Sequence, residues 1–98
     1  MQKCIECTMW GRRLEYDYLL WVDRIANTLG LKGITFFKND GSIKVVAEGE
    51  EDTLLFFIRK LKRGRSFFPF LSKIENFSVT WQEAKKEFED FSIVESGE

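Results

Sequence analysis

The sequence contains no histidine, and its 98 residues include only two cysteines and one proline. The cysteines, Cys4 and Cys7, lie in an alternating run that predicts a β-strand, where residues three apart point to opposite faces. The two thiols are therefore poorly placed to share a metal. A zinc site would also lack its other ligands, because the chain has no second cysteine pair and no histidine. We predict that both cysteines are structural, and we expect neither a metal nor a cofactor.

Long hydrophobic runs and an excess of charge are also missing. No apolar run approaches the roughly 18 residues that a membrane-spanning helix requires, and no basic-then-apolar leader opens the sequence. Fifteen basic and sixteen acidic residues leave a net charge of -1, so no overall field attracts nucleic acid or an anionic membrane. We expect a cytoplasmic protein that binds no membrane and is not primarily a nucleic-acid binder.

Apolar and aromatic residues are plentiful. The hydrophobic fraction is 44%, with ten Phe, three Trp and two Tyr, which supplies ample material for one core and argues against disorder. A chain of this length is too short for two cores. We therefore expect a single domain over residues 1–98.

Hydrophobic periodicity predicts an ordered series of strands and helices. Strands are predicted at 2–9, 33–38, 42–48, 73–81 and 88–94, and helices at 16–29 and from about 50 to 63. Asn39, Asp40 and Gly41 predict a hairpin between the second and third strands, and Gly64 predicts the end of the second helix. This order predicts an α+β, ferredoxin-like βαββαβ sandwich, with a four-stranded antiparallel sheet, two helices on one face and a short C-terminal edge strand.

The middle of the chain resembles the second signature of the acylphosphatase family. Gly41 follows Gly33 by eight residues, Ile43 comes two further on, and Gly49 six beyond that. The flanking runs LGLKG, VVAEGEED and FEDFSIV are similar to the family's usual flanks. The resemblance implies hydrolysis of the mixed anhydride of acyl phosphates without a metal or cofactor.

The family's first signature is matched only in part. An ungapped comparison places its opening glycine at Gly11 and its aromatic residue at Tyr18, but its catalytic arginine falls on Leu19. In the second signature, the asparagine that orients the attacking water falls on Phe37. An arginine clamps phosphate oxygens through a fixed fork of donors, whereas leucine has no donor and phenylalanine cannot hold a water. The resemblance therefore leaves no catalytic residue at either position.

The loop between the first strand and the first helix retains possible anion ligands. Gly11, Arg12 and Arg13 are candidate anion-binding residues, although Glu15 and Asp17 stand where the family has small residues that curl around phosphate. We predict that acyl phosphate hydrolysis is lost and that the chain is a small binding or structural domain. The alternative is an active acylphosphatase that uses a displaced arginine.

A basic run at 59–65 precedes several phenylalanines, a composition found at single-stranded nucleic-acid sites. It also fits a helix C-terminus, where positive charge is favourable, and we favour that interpretation over the weaker alternative of a nucleic-acid-binding module. The candidate partner surface comprises Tyr16, Arg63, Arg65 and Phe67. The sequence does not identify a partner. The candidate partner is a small anion or a protein that binds at the loop 11–19.

Overall fold

Two helices and a five-stranded sheet form the body of the domain. The computed structural model describes residues 1–12, 14–64, 66–67, 70–71 and 73–95. The elements are β1 (Gln2–Arg12), α1 (Tyr16–Thr28), β2 (Lys32–Phe37), β3 (Ile43–Glu50), α2 (Glu51–Arg63), β4 (Ser66–Phe67), β5 (Phe70–Leu71), β6 (Lys73–Glu83) and β7 (Phe91–Ile93). The predicted ferredoxin-like fold is confirmed.

The sheet has the strand order β6-β1-β3-β2-β7. Its four long strands pair antiparallel with one another, while β7 runs parallel to β2 for three residues. The predicted short edge strand at the C-terminal end is therefore confirmed. The two-residue strands β4 and β5 pair only with each other.

The core lies between the sheet and the two helices. Alternate residues of β1 and β3 enter it because neighbouring side chains of a strand point to opposite faces. The helices α1 and α2 supply the other side of the core. The buried core residues of β1, α1, β3 and α2 are Ile5, Cys7, Met9, Tyr18, Leu19, Val22, Ala26, Ile43, Val45, Ala47, Leu54, Phe57, Ile58 and Leu61. Each large side chain here contributes roughly 1.5 to 3 kcal/mol through burial. None of the helices in the described ranges is long or apolar enough to span a membrane.

The two cysteines are free and buried on different sides of the sheet. Cys7 belongs to the core cluster, whereas Cys4 pairs in register with Glu48 and lies outside that cluster. Burial raises the pKa of the Cys7 thiol to about 12 and, with the nearby carboxylates of Glu48 and Glu6, also raises that of Cys4. Both thiols are therefore protonated and unreactive near neutral pH.

A buried carboxylate holds the segment that leads into β7. Glu48 is only 5% exposed. Its side chain accepts hydrogen bonds from the backbone N–H groups of Lys85 at 2.7 Å and Lys86 at 3.0 Å. Lys86 adopts a positive φ of 57°, a conformation that costs a non-glycine residue energy. The two bonds to Glu48 hold the chain in that turn.

The hairpin between β2 and β3 forms where Asp40 and Gly41 predict it. Asp40 accepts hydrogen bonds from the Ser42 backbone N–H at 2.9 Å and hydroxyl at 2.6 Å, which lower the pKa of its carboxyl. Gly41 adopts a φ of 87°, so the glycine supplies the left-handed turn residue.

Most element boundaries differ from the sequence prediction by one to three residues, and the end of β1 is the difference that concerns the candidate anion ligands. β1 continues to Arg12 instead of ending at residue 9, because β6 pairs with it beyond an irregularity in register at Trp10 and Gly11. Gly11 and Arg12 consequently belong to a strand and not to a loop. The sequence analysis predicted no strand between the second helix and residue 73, but the structure forms the two short strands β4 and β5 there.

Candidate functional site

A shallow depression lies between the N-terminal turn of α1 and the end of β2. It has a volume of about 400 Å³ and is lined by Tyr16, Leu19, Phe37, Ile93, Val94 and Glu95. The fold therefore brings together Leu19 and Phe37, the two positions at which the sequence comparison predicted the family's catalytic arginine and asparagine to fall. The depression is the candidate functional site.

Each wall of the depression is positioned by a different element. Leu19 is 2% exposed and packs into the core from α1, while Phe37 is half-buried at the last position of β2. The third wall follows β7, where the Val94 N–H donates to the Thr35 carbonyl at 3.0 Å. Among the described residues that line the depression none is cationic, and Glu95 is the one with a charged side chain. The described walls are therefore mainly apolar.

The start of α1 carries negative side chains. Glu15 occupies the N-cap position with an extended backbone, and its backbone carbonyl accepts hydrogen bonds from the N–H groups of Tyr18 at 2.9 Å and Leu19 at 3.4 Å. The Glu15 side chain makes no capping bond, and Asp17 lies in the first turn. Carboxylates are favourable beside the positive end of a helix dipole, but they repel a phosphate that approaches the same N–H groups.

The candidate anion ligands lie at the end of β1. Gly11 faces Ile74 and Arg12 faces Lys73 across the ladder to β6. The Arg12 Nε is 3.2 Å from a carboxylate oxygen of Glu75, and neither Gly11 nor Arg12 lines the depression. Arg13 lies outside the described residues. Anion binding by these three residues stays a prediction.

The candidate partner surface is described only in part. Tyr16 is 58% exposed at the first position of α1, and Arg63 is exposed in the last turn of α2. These helix ends are neighbours, because the buried Tyr18 hydroxyl donates to the Leu61 carbonyl at 3.3 Å. Arg65 and the side chain of Phe67 lie outside the described part of the chain.

Two lysines of the basic run have local roles. The Lys60 ammonium lies 5.5 Å from the ring centre of Phe56, and the Lys62 ammonium lies 5.8 Å from that of Phe77. Such cation–π contacts contribute roughly 0.5 to 1 kcal/mol at exposed sites. The charges also lie at the negative end of the α2 dipole, so part of the run has a structural explanation.

Sequence reasoning did not find the wall formed by Ile93, Val94 and Glu95. The alternation in this segment predicts a strand, but no local pattern shows that the strand lies beside β2 and reaches the depression. Glu48 was missed for a similar reason, since its partners are 37 and 38 residues away along the chain.

Comparison with known proteins identifies the family. The acylphosphatase family model matches residues 6–93. The chain belongs to the acylphosphatase family. An acylphosphatase of Caldanaerobacter subterraneus subsp. tengcongensis is 34% identical over 93 residues, which cover 95% of this chain and 99% of the relative. One from Thermus thermophilus is 36% identical over 73 residues, covering 74% and 78% of the two chains.

The fold of a solved acylphosphatase agrees with this assignment. The crystal structure of acylphosphatase from Bacillus subtilis superposes with a TM-score of 0.82 at 29% identity, covering 96% of this chain and 99% of that one. The acylphosphatase framework is therefore present along nearly the whole domain.

Proposed function

We propose that this acylphosphatase-family domain no longer hydrolyses acyl phosphates and acts as a small binding or structural domain. The observation that carries the proposal is the juxtaposition of Leu19 and Phe37 in one apolar depression whose described lining contains no cation. The depression occupies the place where the family resemblance puts catalysis, with neither of the expected functional groups.

The chemistry of acyl phosphate hydrolysis supports this proposal. Negative charge on the phosphoryl oxygens needs preorganised donors, and loss of one such donor typically costs a factor of about 100 to 1,000 in rate. The attacking water must also be held in line, a positioning effect that contributes further powers of ten. Leu19 and Phe37 supply neither effect, and Glu95 adds a negative charge at the depression.

The second candidate is acyl phosphate hydrolysis, and the relatives favour it. Proteins named acylphosphatase match the chain at 34 to 36% identity over most of its length. None of the relatives described above carries the name of a binding protein instead of an enzyme. A displaced arginine would then have to reach the phosphate. Arg12 would leave its exposed contact with Glu75, which is inexpensive because surface ion pairs contribute only about 0 to 1 kcal/mol.

Hydrolysis of benzoyl phosphate by the purified domain separates the two candidates. We expect a rate indistinguishable from that without protein, both for the wild type and for Arg12→Ala. A robust wild-type rate that Arg12→Ala or Arg13→Ala abolishes would refute the proposal and establish the displaced-arginine mechanism.

The double variant Leu19→Arg/Phe37→Asn serves as the gain-of-function arm. It restores both side chains that the family resemblance requires, and we expect it to hydrolyse benzoyl phosphate measurably. Leu19→Lys/Phe37→Asn is the matched control, because lysine carries the charge without the planar fork. Circular dichroism establishes that each variant is folded before its rate is compared.

A further inference from the structure

The outer edge of β6 is a long strand edge without a partner among the described strands. β6 is 11 residues long and ends the sheet on one side, whereas the opposite edge is closed by the three-residue β7. Proteins normally blunt long edges with proline, lysine, bulges or short strands. From residue 76 to residue 83, β6 contains neither proline nor lysine.

This edge has a chemically palindromic sequence. Residues 75–83 read ENFSVTWQE. Around the central Val79, residues at equal distances belong to the same chemical class: hydroxyl side chains at Ser78 and Thr80, aromatic rings at Phe77 and Trp81, amides at Asn76 and Gln82, and carboxylates at Glu75 and Glu83. Antiparallel pairing of a strand with its own copy brings together residues at equal distances from the symmetry centre.

The geometry of β6 leaves this palindrome available for pairing. Its register with β1 is regular from Asn76 to Glu83, and the irregularity lies at Glu75. Phe77 and Val79 are half-buried against the core, while Trp81, on the same face, is still 39% exposed. Ser78 and Thr80 are exposed on the other face.

We infer that two copies of this chain pair antiparallel along β6 about a two-fold axis at Val79. Phe77 then lies opposite Trp81 of the second copy, and aromatic cross-strand pairs are among the favourable ones. Ser78 lies opposite Thr80 of the second copy, where hydroxyl pairs are also favourable. The pairing joins two five-stranded sheets into one of ten strands and covers the exposed Trp81.

The ends of the paired segment are compensated electrostatically. Glu75 faces Glu83 of the second copy, a pairing of like charges that would otherwise weaken the contact. Each carboxylate already has a cation of its own chain: Arg12 lies 3.2 Å from Glu75, and Lys3 lies 3.1 Å from Glu83. The repulsion is therefore reduced at both ends.

Neighbouring registers match less well. A two-fold axis at Ser78 would place the ring of Phe77 opposite Val79 and the carboxylate of Glu75 opposite Trp81. An axis at Thr80 would place Phe77 opposite Glu83. Of these three axes, only the one at Val79 places each side chain opposite a side chain of the same chemical class.

Disulfide trapping tests the register through exposed positions. In the proposed dimer Ser78 and Thr80 of the two copies are direct neighbours, about 4.5 to 5.5 Å apart between Cα atoms, which is within disulfide range. Two copies of residue 78 are displaced by two residues along the strand and lie about 8 to 9 Å apart, which is too far. An equimolar mixture of Ser78→Cys and Thr80→Cys should therefore form a crosslinked dimer under mild oxidation, while each variant alone should not.

The wild type is the control for the native cysteines, which are buried and should not crosslink. Crosslinking by Ser78→Cys alone or by Thr80→Cys alone would overturn the register, because it would place the axis on that residue. No crosslinking in the mixture would overturn the pairing itself.

Charge variants test the interface without oxidation. Ser78→Lys/Thr80→Lys places two like-charged pairs across the interface, and Ser78→Glu/Thr80→Lys places two opposite-charged pairs there. The variants differ only at residue 78, which faces Thr8 within the monomer. By sedimentation equilibrium we expect the wild type to dimerise with increasing concentration, the double-lysine variant to dissociate roughly tenfold more readily, and the Glu/Lys variant to stay dimeric.

A wild type that sediments as a monomer at every concentration would overturn the inference, and so would a double-lysine variant that dimerises as well as the wild type. Matching circular dichroism spectra ensure that the comparison is between folded chains. The inference is independent of acyl phosphate hydrolysis, since none of its readouts involves catalysis.

Discussion

Replacement of Gly33 by alanine should destabilise the domain more than any other single methyl addition at a described glycine. An added Cβ would lie 1.8 Å from the Val46 carbonyl oxygen and 2.8 Å from the Val46 carbonyl carbon. Both atoms belong to the backbone of β3, next to β2 in the sheet, so they cannot turn aside as a flexible side chain would. Gly33 also has a φ of 150°, which side chains rarely allow.

Two contributions set the expected magnitude. The unfavourable φ costs roughly 1 to 3 kcal/mol, and overpacking against an unyielding neighbour costs roughly 1 to 3 kcal/mol more. We therefore expect Gly33→Ala to lower the free energy of unfolding by about 2 to 6 kcal/mol, a large fraction of the 5 to 15 kcal/mol that is usual for a domain.

Urea unfolding monitored by tryptophan fluorescence measures this loss. Gly30→Ala is the matched control, because Gly30 has a φ of 73° but no atom within 4 Å of the added Cβ. It should lose only the backbone contribution, about 1 to 2 kcal/mol. If Gly33→Ala proved no less stable than Gly30→Ala, the close approach of β2 to the β3 backbone could not be the reason for the glycine.

Two further perturbations probe buried groups. Glu48→Ala removes the acceptor of the Lys85 and Lys86 N–H bonds and should lower the free energy of unfolding, measured with urea, by about 2 to 4 kcal/mol. Glu48→Gln keeps one oxygen acceptor and should lose less stability. Equal stability of Glu48→Ala and the wild type would contradict this role. Burial raises the pKa of Cys7 from 9.0 to about 12, so the unfolded thiol ionises first, and its contribution to stability is complete below pH 9 and declines as the pH rises. The free energy of unfolding should fall between pH 9 and 10 with a Cys7 contribution approaching about 1.4 kcal/mol per pH unit, and Cys7→Ala should show a shallower decline; an unchanged slope would refute the assignment.

The fold follows from local patterns to a large extent. Alternation and helical spacing locate all the long elements, and the Asp40 and Gly41 pair marks the hairpin. The end of β1 does not follow from its own residues, because Gly11 and Arg12 are held in the strand by pairing with β6, 61 to 63 residues further along the chain. Strand ends are set by partners, which a local pattern does not contain.

The candidate site, like the fold, could be predicted only where the information is local in the sequence. Its two central positions, Leu19 and Phe37, are found from the sequence because the glycine spacing of the family fixes the comparison. The wall beside β7 is not found, since parallel pairing of β7 with β2 depends on tertiary packing. The role of Arg12 stays a prediction: its residue type suggests an anion ligand, and the structure shows that its side chain contacts Glu75.

The manner in which β7 is attached has a consequence for the lifetime of the depression. β7 pairs with β2 over only three residues, and three further hydrogen bonds flank that short ladder: the Gly33 N–H to the Asp90 carbonyl at 2.9 Å, the Asn27 side chain to the Phe91 carbonyl at 3.3 Å, and the Val94 N–H to the Thr35 carbonyl at 3.0 Å. A strand this short at a sheet edge opens more often than the central strands. Hydrogen exchange should therefore be faster at Val94 than at the amides of β3, and each such opening dismantles one wall of the depression while the remainder of the domain stays folded.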